Sequence, residues 1–142
     1  MTQTLEFRQS SHLDPALSDP AVIVANVDKL TGRWVNTSRA TGGIRECVIE
    51  RDGLNLSVHL TGAGDNGPIF WPTASAKVLA NLEEEAGQRT AALAATFDFG
   101  FMRSETYIRI NKGVLVIVLF NSFLDNSGRS NYVTREFFYR PD

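Results

Sequence analysis

Glu46, His59, Asp98, Arg103 and Glu105 are the side chains of this sequence whose chemistry suits proton transfer or charge stabilisation. A carboxylate enclosed by apolar groups binds its proton more tightly and can then serve as a general acid or base. By strand parity, Glu46 falls with Ile44 and Val48, and Glu105 falls with Arg103, Phe101 and Tyr107. If those faces point inward, Glu46 and Glu105 are catalytic candidates. If they point outward, both are solvated acids beside arginines, and this is the favoured reading. His59 alternates with Asn55, Ser57 and Thr61 and reads as part of an outer polar face.

A second group suits binding rather than reaction. Trp71, Phe97, Phe99, Tyr107, Phe120, Phe123 and Tyr132 are candidate pocket walls, with Asn36, Asn121 and the tyrosines as polar anchors. Aromatic walls carrying a few placed polar groups are what a small-molecule pocket requires. Ordinary core or interface packing is the competing explanation for each aromatic residue and is favoured for each taken singly. Asn121 shares parity with Leu115, Ile117 and Leu119, so an inward Asn121 needs a polar partner, and a ligand would supply one.

Other chemistries find no support. His12 and His59 have no metal-ligand spacing, and the segment 125–128 is too short for a calcium loop. No phosphate-cradling glycine loop and no Gly-x-Ser-x-Gly element occurs, so neither a metal nor a cofactor is expected. The single cysteine, Cys47, lies between Glu46 and Val48 and reads as a small buried apolar residue. A net charge of -2 argues against nucleic acid as a partner. No apolar run reaches the length of a membrane helix and no leader pattern is visible, so the expected location is cytoplasmic.

These side chains must be positioned by strands. The 142 residues suit one domain, with 43% hydrophobic and 21% charged residues. Eight strand candidates follow Leu30, at about 31–38, 43–51, 54–62, 69–82, 89–99, 101–111, 113–124 and 129–140. Asp52-Gly53 and Lys112-Gly113 are hairpin signals, and 62–68 and 125–128 are glycine-containing loops. Short connections favour antiparallel neighbours, and eight of them can close into an up-and-down barrel without free edges. The stretch 74–85 is ambiguous, because its Ala, Lys, Leu and Glu residues also favour helix. Residues 1–29 read as an arm and short helix, with Asp19 and Pro20 opening a helical turn, and residues 30–142 read as the barrel. The strand Val114–Phe120 is apolar on both faces, so its outer face needs cover from the N-terminal segment or from another subunit. A homo-oligomer, dimer or tetramer, is therefore expected.

The run Leu30-Thr31-Gly32-Arg33-Trp34-Val35-Asn36, placed before this meander, resembles the opening strand of the avidin-type and lipocalin-type barrels, together the calycins. The resemblance covers roughly residues 30–140 as an eight-strand plan. It implies that Gly32 and Trp34 form the barrel floor, with an arginine of the last strand, Arg135 or Arg140, packed across the tryptophan. Asn36 matches a biotin-binding asparagine of the avidins. Ala40 stands where their serine is expected, and their later tryptophans are missing, so biotin is not the expected ligand.

The resulting expectation is an all-β, calycin-like barrel that binds a small hydrophobic, polyketide-like molecule in an aromatic-lined cavity. The alternatives are a cofactor-independent isomerase or cyclase of natural-product type, with Glu105 or Glu46 as its acid–base group, and a structural oligomer whose core is filled.

Overall fold

The computed structural model describes residues 27–85 and 88–141. The expected N-terminal arm and short helix, up to residue 26, lie outside the described residues. Nine strands follow in order: β1 (Gly32–Asn36), β2 (Ile44–Asp52), β3 (Asn55–Gly62), β4 (Ile69–Phe70), β5 (Ala74–Glu85), β6 (Gln88–Asp98), β7 (Met102–Asn111), β8 (Val114–Phe123) and β9 (Tyr132–Tyr139). All pairings are antiparallel. The sheet closes because β1 pairs with both β2 and β9, while β2 also pairs with β3. The fold is therefore an eight-stranded up-and-down barrel with one extra strand, β4, on the end of β3.

The turns carry the predicted chemistry. Lys112 and Gly113 both adopt positive φ, at 53° and 80°, between the paired residues Asn111 and Val114. That pattern matches the right-handed twist of the flanking strands. Gly53 adopts φ 62° between Asp52 and Asn55, so Leu54 belongs to the turn and is 79% exposed, unlike its parity mates Leu56, Val58 and Leu60.

The sequence and the structure part company at two places. The expected strand 69–82 is two strands, because the chain turns at Trp71-Pro72-Thr73 between β4 and β5. Residues 74–85 are strand despite their helical propensity, because β5 lies between β3 and β6 and the sheet supplies its backbone partners. The second departure is a bulge. Ile44 pairs with Gly62 and Glu46 with Thr61, which leaves Arg45 as an extra residue in β2. One extra residue flips strand parity. Ile44, Cys47 and Ile49 are buried as a result, and Glu46 is turned outward.

One end of the barrel is solid. Trp34, Leu93, Ile108, Leu115, Ile117 and Phe138 are almost completely buried, and Val27 and Leu30 pack into the same cluster. The indole N–H of Trp34 donates to the Leu30 carbonyl at 2.9 Å, which satisfies its only polar atom. The Arg140 guanidinium lies 4.1 Å from the Trp34 ring and donates to the carbonyls of Thr31, at 2.8 Å, and Lys29. Gly32 stands at φ +110°, and a Cβ there would come within 2.9 Å of Arg140 Nη1. Glycine at position 32 thus leaves room for the arginine that caps the tryptophan.

The arginine across Trp34 is Arg140, not Arg135. Arg135 points outward by β9 parity and lies 5.4 Å over the Phe137 ring. The doubly apolar strand β8 splits along its outer face, where Val116 is buried and Phe120 is 51% exposed opposite Val133 at 59%.

Arg140→Ala is expected to lower stability by about 1–3 kcal/mol in urea unfolding, since it removes a ring contact and hydrogen bonds to two carbonyls. Arg135→Ala should stay within about 0.5 kcal/mol. A reversed ranking would remove Arg140 from its role at the floor.

Candidate functional site

The other end of the barrel is open and forms a cup of about 340 Å³. Its wall includes Ile44, Trp71, Met102, Leu119 and Tyr132 as apolar or aromatic surface, Asn121, Thr134 and Glu136 as polar groups, and Arg135 at its border. The polar groups come from two neighbouring strands, β8 and β9, whose inward positions alternate between buried aliphatic residues below and polar residues near the mouth. Along β8 the inward run is Leu115, Ile117, Leu119 and Asn121, and along β9 it is Phe138, Glu136, Thr134 and Tyr132.

Asn121 is 4% exposed, and its Oδ1 is buried without a hydrogen-bond partner. Directly opposite on β7, Ser104 is fully buried and its Oγ is likewise unpartnered. A third inward polar residue, Thr106, is satisfied by donating to the Ala95 carbonyl at 2.8 Å. An unpaired buried polar atom costs about 1–3 kcal/mol. Two such atoms on facing positions, one of them on a residue of the cup wall, are a feature that packing alone would select against.

Glu136 is the carboxylate of the cup, and sequence reading did not single it out. Its Oε1 accepts from Asn36 Nδ2 at 3.1 Å, Thr41 Oγ1 at 2.9 Å and the Ile44 amide at 3.3 Å. Its Oε2 accepts only from the Ile44 amide, at 3.2 Å. Gly43 makes the approach possible, because a Cβ there would lie 2.5 Å from Oε1. The signal in the sequence was weak: both faces of β9 carry aromatic and charged residues, so parity could not say which face turned inward.

Trp71 is brought to the mouth by β4, where its amide donates to the Leu60 carbonyl at 3.0 Å. Its ring packs edge-on against Phe97 at 5.3 Å and Phe99 at 4.9 Å. Gly62 leaves space beside it, since a Cβ would stand 3.1 Å from the indole nitrogen. The aromatic surface continues along the rim. Phe99 neighbours Phe101 at 6.2 Å, and Arg129 stacks on Phe101 at 5.5 Å and on Phe123 at 4.1 Å. Phe123 in turn neighbours Tyr132 at 6.1 Å. An arc of rings bridged by one guanidinium therefore follows the mouth and ties the 99–101 turn to the 124–131 loop.

The structure thus gathers Trp71, Asn121 and Tyr132 at the cup, with Phe97, Phe99 and Phe123 behind or beside them. Asn36 is buried but its amide is engaged: it donates to the Ile44 carbonyl and Glu136 and accepts from the Ser38 amide at 2.8 Å. Phe120 and Tyr107 face outward, away from the cup, because β7 and β8 present Thr106, Ile108, Leu119 and Asn121 inward. The two acid–base candidates are also outside. Glu46 pairs with Arg33 at 2.9 Å on the outer surface, where the bulge has turned it. Glu105 is exposed on the outer face of β7. His59 bonds Thr73 at 3.1 Å on the outer polar face, as its parity implied.

Comparison with protein-family models, curated proteins and solved structures finds no match to this chain. The reading of the cup therefore rests on its own geometry. Among the described residues, no cluster of histidine, cysteine or acidic side chains could hold a metal ion.

Burial pushes the Cys47 thiol up to about 12, with a smaller contribution from the Glu46 charge. The thiolate is the nucleophile, so this thiol should be inert in the folded protein. A thiol-specific reagent at pH 8 is expected to label Cys47 only at the rate of unfolding, and fully in denaturant. Prompt labelling of native protein would place Cys47 in a different environment.

Asp125 anchors the rim loop by pairing with Arg129 at 2.7 Å. Hydrogen bonding from the Ser127 side chain, and then from Arg129, holds its carboxyl below the usual aspartate range. A depressed folded value means that the ionised form favours the ordered loop above the unfolded value, and that this is lost as pH falls through the folded one. Acidification below about pH 4 is expected to free Arg129 from its stack, read as movement of the Phe101 and Phe123 ring signals by NMR. Unchanged ring signals down to unfolding would exclude Asp125 as the anchor.

Proposed function

We propose that the protein binds a small, largely apolar molecule in the cup, on a barrel of calycin-like design. The observation that carries this reading is Asn121: an amide almost entirely removed from water, on the wall of a cavity, with its carbonyl oxygen unpartnered. Oδ1 itself is shielded from the cup, so a ligand that brings a hydrogen-bonding group relieves this cost by drawing the amide to turn towards it. A half-turn about the Asn121 side-chain amide exchanges its donor and acceptor, so it can answer either kind of group. The volume suits a compact ligand of small-molecule size, and Trp71 and Tyr132 offer ring surface to an apolar body. The calycin likeness is supported by the floor, where Gly32, Trp34 and Arg140 occupy the arrangement that the resemblance implied.

A filled structural barrel is disfavoured by the cup itself. Catalysis by Glu46 or Glu105 is disfavoured by their outward placement.

Asn121→Leu separates binding from stability. Replacing an unsatisfied buried amide with an apolar side chain of similar size is expected to raise the stability of the free protein by about 1–2 kcal/mol. It should also weaken ligand binding at least about tenfold. Binding is read from tryptophan fluorescence, where Trp71 reports on the cup and Trp34 on the floor, so Trp71→Phe should abolish the ligand-induced change. A variant that loses stability and keeps its affinity would exclude Asn121 as the anchor.

A further inference from the structure

Glu136 places a negative charge on the wall of the cup beside Ile44, Trp71, Leu119 and Tyr132, and none of the described ion pairs neutralises it. Its partners, the Asn36 amide, the Thr41 hydroxyl and the Ile44 backbone, are all uncharged donors. The neighbouring arginines have other tasks. Arg135 borders the cup but lies over the Phe137 ring and makes no described ion pair with Glu136, Arg140 caps Trp34, and Arg129 pairs with Asp125 at the rim. The uneven engagement of the two carboxylate oxygens leaves acceptor capacity on Oε2, which among the described residues receives only the Ile44 amide, at 3.2 Å.

The surroundings favour a cation over a neutral donor. A concave site with largely apolar walls lowers the local dielectric, and the attraction between opposite charges strengthens as it falls. Aromatic faces add to this, since a cation within about 6 Å of a ring centroid is drawn to it, and Trp71 and Tyr132 share the wall with Glu136. An anionic ligand would meet Glu136 with repulsion, and a neutral one would leave the charge unanswered.

We propose that the cup selects a small hydrophobic amine, its ammonium group on Glu136 Oε2 and its apolar body against Trp71 and Leu119. This deepens the small-molecule reading above and rests on it. Glu136 is then both the residue that holds the β1–β2 loop and the group that sets the charge of the ligand.

The test is a matched set of probes of one shape: naphthylmethylamine, naphthylmethanol and naphthoate, titrated at pH 7 by Trp71 fluorescence and calorimetry. The amine is expected to bind at least about tenfold tighter than the alcohol, and naphthoate should not bind. Added salt should weaken the amine and leave the alcohol unchanged. In Glu136→Gln the amide oxygen can keep the three Oε1 contacts, and the preference for the amine over the alcohol should disappear. A merely structural Glu136 would not move that ratio. Should the variant fail to fold, the amine-to-alcohol ratio of the native protein still decides. Equal binding of amine and alcohol, or a preference for naphthoate, overturns the amine assignment and leaves the cup as a binding site. No binding by any of the three overturns both.

Discussion

The barrel depends on a short seam. β1 meets β9 through only two register pairs, Val35 with Tyr139 and Asn36 with Phe138, extended by the bond from the Thr37 amide to the Phe137 carbonyl at 2.9 Å. Every other strand of the cylinder is held by longer ladders, such as the run from Met102–Phe123 to Asn111–Val114 between β7 and β8. A ladder this brief leaves the closure to side chains. Arg140 works at the floor, spanning from β9 to Trp34 and to the carbonyls ahead of β1. Glu136 works at the mouth, spanning from β9 to Asn36, Thr41 and the start of β2. Without closure β1 and β9 would present free edges, and the interior would be open to water.

The two ends of the seam use opposite physics. At the floor a cation rests on an indole ring within the apolar core, and the indole N–H is satisfied by the Leu30 carbonyl. At the mouth a carboxylate gathers neutral donors while Asn121 and Ser104 stay unpaired nearby. The stable end thus carries the core, and the polar cost is concentrated where the cylinder opens. Glycines permit both arrangements. Gly32 yields space to Arg140 and Gly43 yields space to the Glu136 carboxylate, and any side chain at either place would push the charged group away.

The rim adds a different kind of order. Rings from three separate segments, at 71, at 97–101 and at 123–132, meet in one arc, and Arg129 links its parts. Aromatic groups at a mouth contribute rigid contact surface at small entropy cost. The loop that supplies Arg129 is held by ion pairing and side-chain hydrogen bonds close in sequence, so its order depends more on solvent conditions than that of the core beneath it.

Local pattern was enough to read the all-β class, the two-residue turns and the strands other than β4 and β5, because side-chain alternation and positive-φ turn residues are properties of adjacent residues. Trp34, Trp71 and Asn121 were legible as well, the first from its spacing to Gly32 and the last from standing on an aliphatic face. What no local pattern contains is which of two mixed faces turns inward and which arginine meets which ring. Arg45 shows the reason most plainly: one bulged residue reverses the parity of β2 and expels Glu46 from the interior. Glu136 shows it again, since a charge among aromatic residues reads as surface until closure brings Asn36, Thr41 and the Ile44 amide to it from about a hundred residues away. Most elements and their turns were decided by neighbours in sequence, and β5 by the strands on either side of it. The inward face, the seam and the charge of the cup were decided by the register in which distant strands met, which exists only once the barrel is closed.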